Sequence, residues 1–118
     1  MTGAMAIDRT GGPDVLQWRE LPSAEPGRGE VLVRHTAIGL NFIDVYHRRG
    51  LYPVPGLPAI LGVEAAGRVE AIGAGVSEVA VGDRVAYAGG APGAYSHTRV
   101  IPADRLVPLP DEIDDRRA

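Results

Sequence analysis

From Val31 to Gly39 the side chains alternate, with Val31, Val33, His35 and Ala37 on one side and Leu32, Arg34, Thr36 and Ile38 on the other. A period of two sends successive side chains to opposite faces of a sheet, so this run predicts a strand with one face partly solvated. Short apolar runs predict further strands at Ala4–Arg9, Val15–Leu21, Gly62–Ile72, Arg84–Ala88, Ala94–Pro102 and Leu106–Pro108. Thr10–Pro13 is a turn, which makes the first two strands a hairpin, and Gly73-Ala74-Gly75 is another. Pro22–Glu30, rich in Pro, Gly and charge, reads as a linker. About seven short strands with recurrent turn chemistry are the pattern of a sandwich or barrel.

One segment departs from the alternation. Asn41–Arg49 opens on a residue type that caps helices, carries Asp44 in its first turn, ends in Arg48-Arg49 and is followed by Gly50, the start and stop signals of a short helix. It leads into Leu51–Leu61, a loop stiffened by Pro53, Pro55 and Pro58. Residues 109–118 begin like a helix, with acidic residues early, and stop before a turn or two could form. The end is therefore read as a cut through a longer protein, with a first domain over 1–110 and the start of a connection over 111–118.

Length and composition then narrow the function. The 118 residues suit one domain, and 45% apolar with 23% charged residues is a globular balance. A net charge of −3, with twelve Arg scattered along the chain, offers no basic stripe for nucleic acid. No run reaches the roughly 18 apolar residues of a membrane span, and no leader pattern is present, so no membrane partner and a cytoplasmic location are expected. The absence of Cys removes disulfides, thiolate metal sites and thiol nucleophiles.

Motif searches remove more. A dinucleotide cradle needs Gly-x-Gly-x-x-Gly between a strand and a helix, whereas Glu78 stands where Gly73-x-Gly75 would need its third Gly. His35, His47 and His97 lack zinc-ligand spacing, and Ser23, Ser77 and Ser96 lie in no nucleophile elbow. What remains is Asn41–Tyr52. A helix followed by a rigid loop can gather the Asn41 amide and the Tyr46 and Tyr52 phenols around one hollow, and such groups hold a carbonyl oxygen without ionising at neutral pH. The plainer alternative is that Asn41 caps the helix, Tyr46 packs in the core or on the surface, and Tyr52 packs on the loop prolines.

The stretches Gly11-Gly12-Pro13-x-Val15-Leu16, Ala37-Ile38-Gly39-Leu40-Asn41-Phe42-Ile43-Asp44-Val45-Tyr46, Gly50-Leu51-Tyr52-Pro53, Leu61-Gly62-Val63-Glu64-Ala65-Ala66-Gly67 and Val81-Gly82-Asp83-Arg84-Val85 together resemble the NADPH-dependent quinone oxidoreductases. These form the zeta-crystallin-like branch of the medium-chain dehydrogenase/reductase superfamily. The resemblance implies a mainly β, GroES-like, partly open barrel with short helices, ending before a nucleotide-binding Rossmann domain. Zinc-dependent relatives have Cys at the position of Asn41 and His at that of Val63, so the resemblance implies a reaction without zinc.

By the same resemblance Asn41, with its neighbours Phe42, Ile43 and Asp44, belongs to the nicotinamide side, and Tyr46 and Tyr52 line the substrate pocket. Asp44 and Glu64 also look structural. The implied reaction is hydride delivery from NADPH to a quinone or enone. NADPH would be held mostly by the further domain, so the 118 residues alone are expected to be inactive and not to bind it. An unpaired sheet edge or apolar patch is expected to favour a homo-oligomer. Two other readings are an enoyl-thioester reductase of the same superfamily and a stand-alone, non-catalytic GroES-like binding module. A co-chaperonin-like role rests on the fold name alone, which does not transmit function.

Overall fold

The computed structural model describes residues 1–118. In chain order the strands and helix are β1 (Thr2–Ile7), β2 (Gln17–Leu21), β3 (Glu30–Ile38), α1 (Phe42–Arg49), β4 (Ala59–Ile60), β5 (Glu64–Ile72), β6 (Arg84–Ala88), β7 (Thr98–Pro102) and β8 (Val107–Pro108). Two sheets result, with strand orders β2-β1-β4 and β7-β3-β5-β6-β8. Neither closes on itself. They are stitched by an isolated bridge between Ala4 and Ser96 and by two bonds beside it, Met5 N–H to the Tyr95 carbonyl and His97 N–H to the Gly3 carbonyl, both 2.8 Å. This is the mainly β, partly open architecture expected.

The alternation of β3 is realised as predicted: Val31 and Val33 are fully buried and Arg34 is exposed. They pack with Val69, Val85, Ile101 and Leu106 in the main core. Burying such side chains contributes about 1.5–3 kcal/mol each. A second, smaller core joins Ile7, Val15 and Leu61 under the first hairpin. The pairing of β3 with β5 slips register twice, between Leu32 and Val33 and between His35 and Ala37. Bulges bend a strand and re-aim its end, and the second lies just before the Gly39–Asn41 link into α1.

Several boundaries differ from the sequence expectation. The first strand runs over Thr2–Ile7, because Asp8 turns outward to pair with Arg19. Val15 belongs to a 3₁₀ turn, Pro13–Val15, started by a proline whose fixed φ suits that position. Gly62, at φ 95°, delays β5 to Glu64. Ala94–His97 is irregular and bonds to the Leu61, Gly62 and Gly3 carbonyls rather than to a ladder. The Pro-rich loop contributes β4, a two-residue pairing with β1 that local pattern cannot show. Residues 111–118 form turns, not a helix, because Arg84 gathers them. Its Nη2 donates to the Ile113 carbonyl and to Asp115 Oδ1, each 2.6 Å, and Thr36 donates to Asp115 Oδ2 at 2.5 Å. These bonds hold the Asp115 carboxyl below the usual range, Thr36 foremost and Arg84 next.

Two interior positions generate tests. At Gly67 in β5 an added Cβ would overlap the Arg34 carbonyl oxygen of β3, which is backbone and cannot swing away. Gly67→Ala is therefore expected to destabilise the fold by about 2–3 kcal/mol, read as a lower urea midpoint. The second position is His35, whose Nδ1 donates to the Ser96 carbonyl at 2.7 Å and whose Nε2 accepts from the Tyr87 hydroxyl at 2.9 Å. Burial lowers its pKa from 6.5, opposed by the Ser96 bond and aided by the nearby Arg99 charge. The unfolded chain thus binds the proton first, so stability is complete above pH 6.5 and declines as pH falls through the lower folded value. The melting temperature should drop over that interval, and His35→Gln should flatten the drop.

Candidate functional site

The site region grows from the C-terminal end of β3. After Ile38 the chain passes Gly39, where a Cβ would overlap the Glu64 side chain and where the N–H bonds to the Glu64 carbonyl at 3.2 Å. Asn41 follows in extended backbone conformation as the N-cap of α1. Asp44 in the first turn reaches back, its Oδ2 accepting from the Asn41 N–H at 3.0 Å. One otherwise orphaned amide of the helix start is thereby satisfied.

At the other end of α1 one carbonyl collects three amides, and Arg48 adds two bonds to Gly11. Gly50 adopts the left-handed conformation at φ 87°, and the Tyr46 carbonyl accepts from the N–H groups of Gly50 (3.0 Å), Leu51 (2.9 Å) and Tyr52 (3.4 Å). A side chain would strain that φ, which is why glycine stands there. The wrap brings the Tyr52 ring edge-on to the Tyr46 ring, with centroids 5.4 Å apart and planes at 83°. Edge-to-face geometry is the favoured arrangement for such a pair. Tyr52 is half exposed, and Leu40 and Phe42 stand in the open at 80% and 81% exposure, with Ile38 and Leu51 also exposed.

The structure thus brings Tyr46 and Tyr52 together near the end of α1 and sets Asn41 at its start. Asn41 lies five residues earlier, roughly 7 Å along the helix axis and about 140° around it from Tyr46. Three hollows, of about 690, 630 and 310 Å³, are lined by none of the three. The first of these, of about 690 Å³, runs along Thr36–Gly39, Glu64–Ala66 and Ala86–Ala88, beside the Asp115–Arg116 turn. Glu64 therefore faces an open groove. Phe42 points outward, Ile43 is half-buried and Asp44 is 3% exposed.

Sequence reasoning passed over Tyr95. Its hydroxyl donates to Asp44 Oδ2 at 2.6 Å, and its ring lies where a Cβ on Gly62 would be. Burial, reinforced by the Asp44 bond and charge, raises its pKa well above that of a free phenol, so it stays protonated as a donor. Nothing local marks it, since 51 residues separate the partners. Asp44 Oδ1, Asn41 Nδ2 and His47 Nδ1 are buried without a protein partner.

No group of three His, Cys, Asp or Glu side chains is arranged to hold a metal ion, and a carboxamide at 41 with a valine at 63 is no zinc donor set. For a nicotinamide cofactor the fit is partial. The Asn41 amide and the apolar side chains beside it suit a flat, neutral ring, while no glycine cradle for its phosphates is present.

An open β scaffold with one short helix at the end of its central strand defines a class. The chain belongs to the alcohol dehydrogenase GroES-like domain family, whose profile matches residues 27–111. Within that class it is 59% identical over 108 residues to the quinone oxidoreductase of Pseudomonas aeruginosa, covering 92% of this chain and 33% of that protein. Among solved structures, a Pseudomonas syringae quinone oxidoreductase superposes with a TM-score of 0.94 at 49% identity, covering 98% of this chain and 35% of that one. The Escherichia coli quinone oxidoreductase, solved with NADPH, gives 0.93 at 48% over 98% and 35%. The chain spans about a third of the length of these relatives.

The double use of the Asp44 carboxylate gives a test. In Asp44→Asn one oxygen becomes an N–H₂, and the bonds from Asn41 and Tyr95 lose their charge assistance. A loss of about 1.5–3 kcal/mol is expected in chemical denaturation.

Proposed function

We propose that this chain forms the substrate-facing part of a zinc-independent, NADPH-dependent quinone oxidoreductase, which reduces a quinone or another conjugated carbonyl. The observation that carries the reading is α1 with its flanks. A carboxamide stands at its start where zinc relatives need a thiolate, and a pair of contacting phenols stands at its end, on a chain closely similar to quinone oxidoreductases.

In this reading residues 1–110 are the GroES-like unit and 111–118 begin the connection to a nucleotide-binding domain. Asn41 orients the nicotinamide edge with its amide, with Phe42 and Ile43 providing apolar contact and Asp44 holding Asn41 in place. Tyr46 and Tyr52 hold the substrate carbonyl by their hydroxyls and shield its ring, so the protein supplies orientation and polar stabilisation. NADPH, when bound, supplies the hydride. Without a phosphate cradle of their own, the 118 residues are not expected to bind NADPH with useful affinity. The open edges and exposed apolar side chains support self-association.

The test is turnover by the full-length protein. NADPH-dependent reduction of 1,4-benzoquinone should survive prolonged chelation. Tyr52→Ala should raise the quinone KM about tenfold, and Asn41→Ala should lower kcat by a similar factor, each the scale of one lost polar contact. Loss of activity on chelation, or wild-type kinetics in both variants, would refute the assignment.

A further inference from the structure

We infer that Tyr95 is a positioning residue for this site, acting through Asp44 to hold the first turn of α1 and so to aim the Asn41 carboxamide. The inference rests on the functional reading above for its consequence in turnover, and on geometry alone for the link itself.

The geometry is a chain of bonds from scaffold to helix. The backbone of Tyr95 is fixed on both sides: its N–H donates to the Leu61 carbonyl and its carbonyl accepts from the Met5 N–H, both at 2.8 Å. Its ring packs against Gly62, the residue at which the chain turns into β5. From this anchored base the hydroxyl reaches Asp44 Oδ2, the same oxygen that accepts from the Asn41 N–H. Asn41 N–H and Tyr95 O–H therefore meet on a single carboxylate oxygen, and a shift in one is felt by the other.

That arrangement matters because α1 is poorly held by its own sequence. It has only eight residues, too few to be stable alone, and its first turn carries Phe42 in the open. Asn41 and Asp44 form the capping box of α1, the Asn41 side chain facing the Asp44 N–H, with Asn41 Nδ2 left buried without a protein partner. The direction of the carboxamide is then set by the first turn of the helix, which Asp44 ties to the N-cap backbone. Of the two donors on that oxygen, Tyr95 is the one that ties the Asp44 carboxylate to the β scaffold rather than to the helix itself.

The test is Tyr95→Phe, which keeps the ring on Gly62 and removes only the hydroxyl. Amide hydrogen exchange at Asn41 should accelerate about tenfold, the scale of one charge-assisted hydrogen bond, while the amides of Val33 and Val85 in the main core stay at wild-type rates. In the full-length protein kcat for benzoquinone reduction should fall about tenfold with the quinone KM changed less than twofold. Unchanged exchange at Asn41 would overturn the inference, as would acceleration shared equally by Val33 and Val85. Faster exchange at Asn41 with unaltered kcat would overturn its functional half. If wild-type protein fails to reduce quinones, the functional reading falls, and the exchange rates still decide whether Tyr95 governs the helix start.

Discussion

A single carboxylate oxygen joins the two halves of this architecture. Asp44 Oδ2 receives one hydrogen bond from the helix start and one from a phenol anchored between the sheets, and the side chain is almost wholly removed from solvent. Burying a charge is costly unless donors meet it, and here two donors converge on one carboxylate oxygen while Oδ1 stands without a protein partner. The helix is consequently not a free appendage on a β scaffold. Its start is placed by Tyr95, which β1 and the Leu61–Gly62 corner hold beside the stitch between the two sheets at Ala4 and Ser96, and its end by the Arg48–Gly11 bonds.

The central strand explains why the helix leaves the sheet where it does. β3 serves the core at one end through Val31 and Val33, and at the other it delivers the chain to Asn41. A flat ladder would serve both ends with one orientation. The two register slips against β5 let the strand turn between these duties, and the close passage at Gly67 keeps the sheets' backbone tight where the turn occurs.

Much of this was legible before any coordinates. The alternation over Val31–Gly39 and the cap signals of Asn41, Asp44 and Gly50 are local, so the strand and helix could be read within a few residues of their true bounds. The phenol pair was likewise local, because six residues and one left-handed glycine suffice to fold Tyr52 onto Tyr46. What escaped was non-local. β4 exists only as a pairing with β1, the last eight residues are shaped by Arg84 and Thr36, and Tyr95 meets Asp44 from a distant part of the chain. The spacing of Asn41 from the phenols is local as well: it stands at the start of α1 and they stand toward its end.

The Tyr46 carbonyl, which collects three successive amides, separates backbone from side chain at the rim of the site. Because that clasp is made by main-chain atoms, the identities of residues 51 and 52 can change without moving the path on which they sit, whereas Gly50 cannot. On the proposed function, the rim is thus a place where selectivity for differently shaped molecules can drift through evolution at little cost to folding.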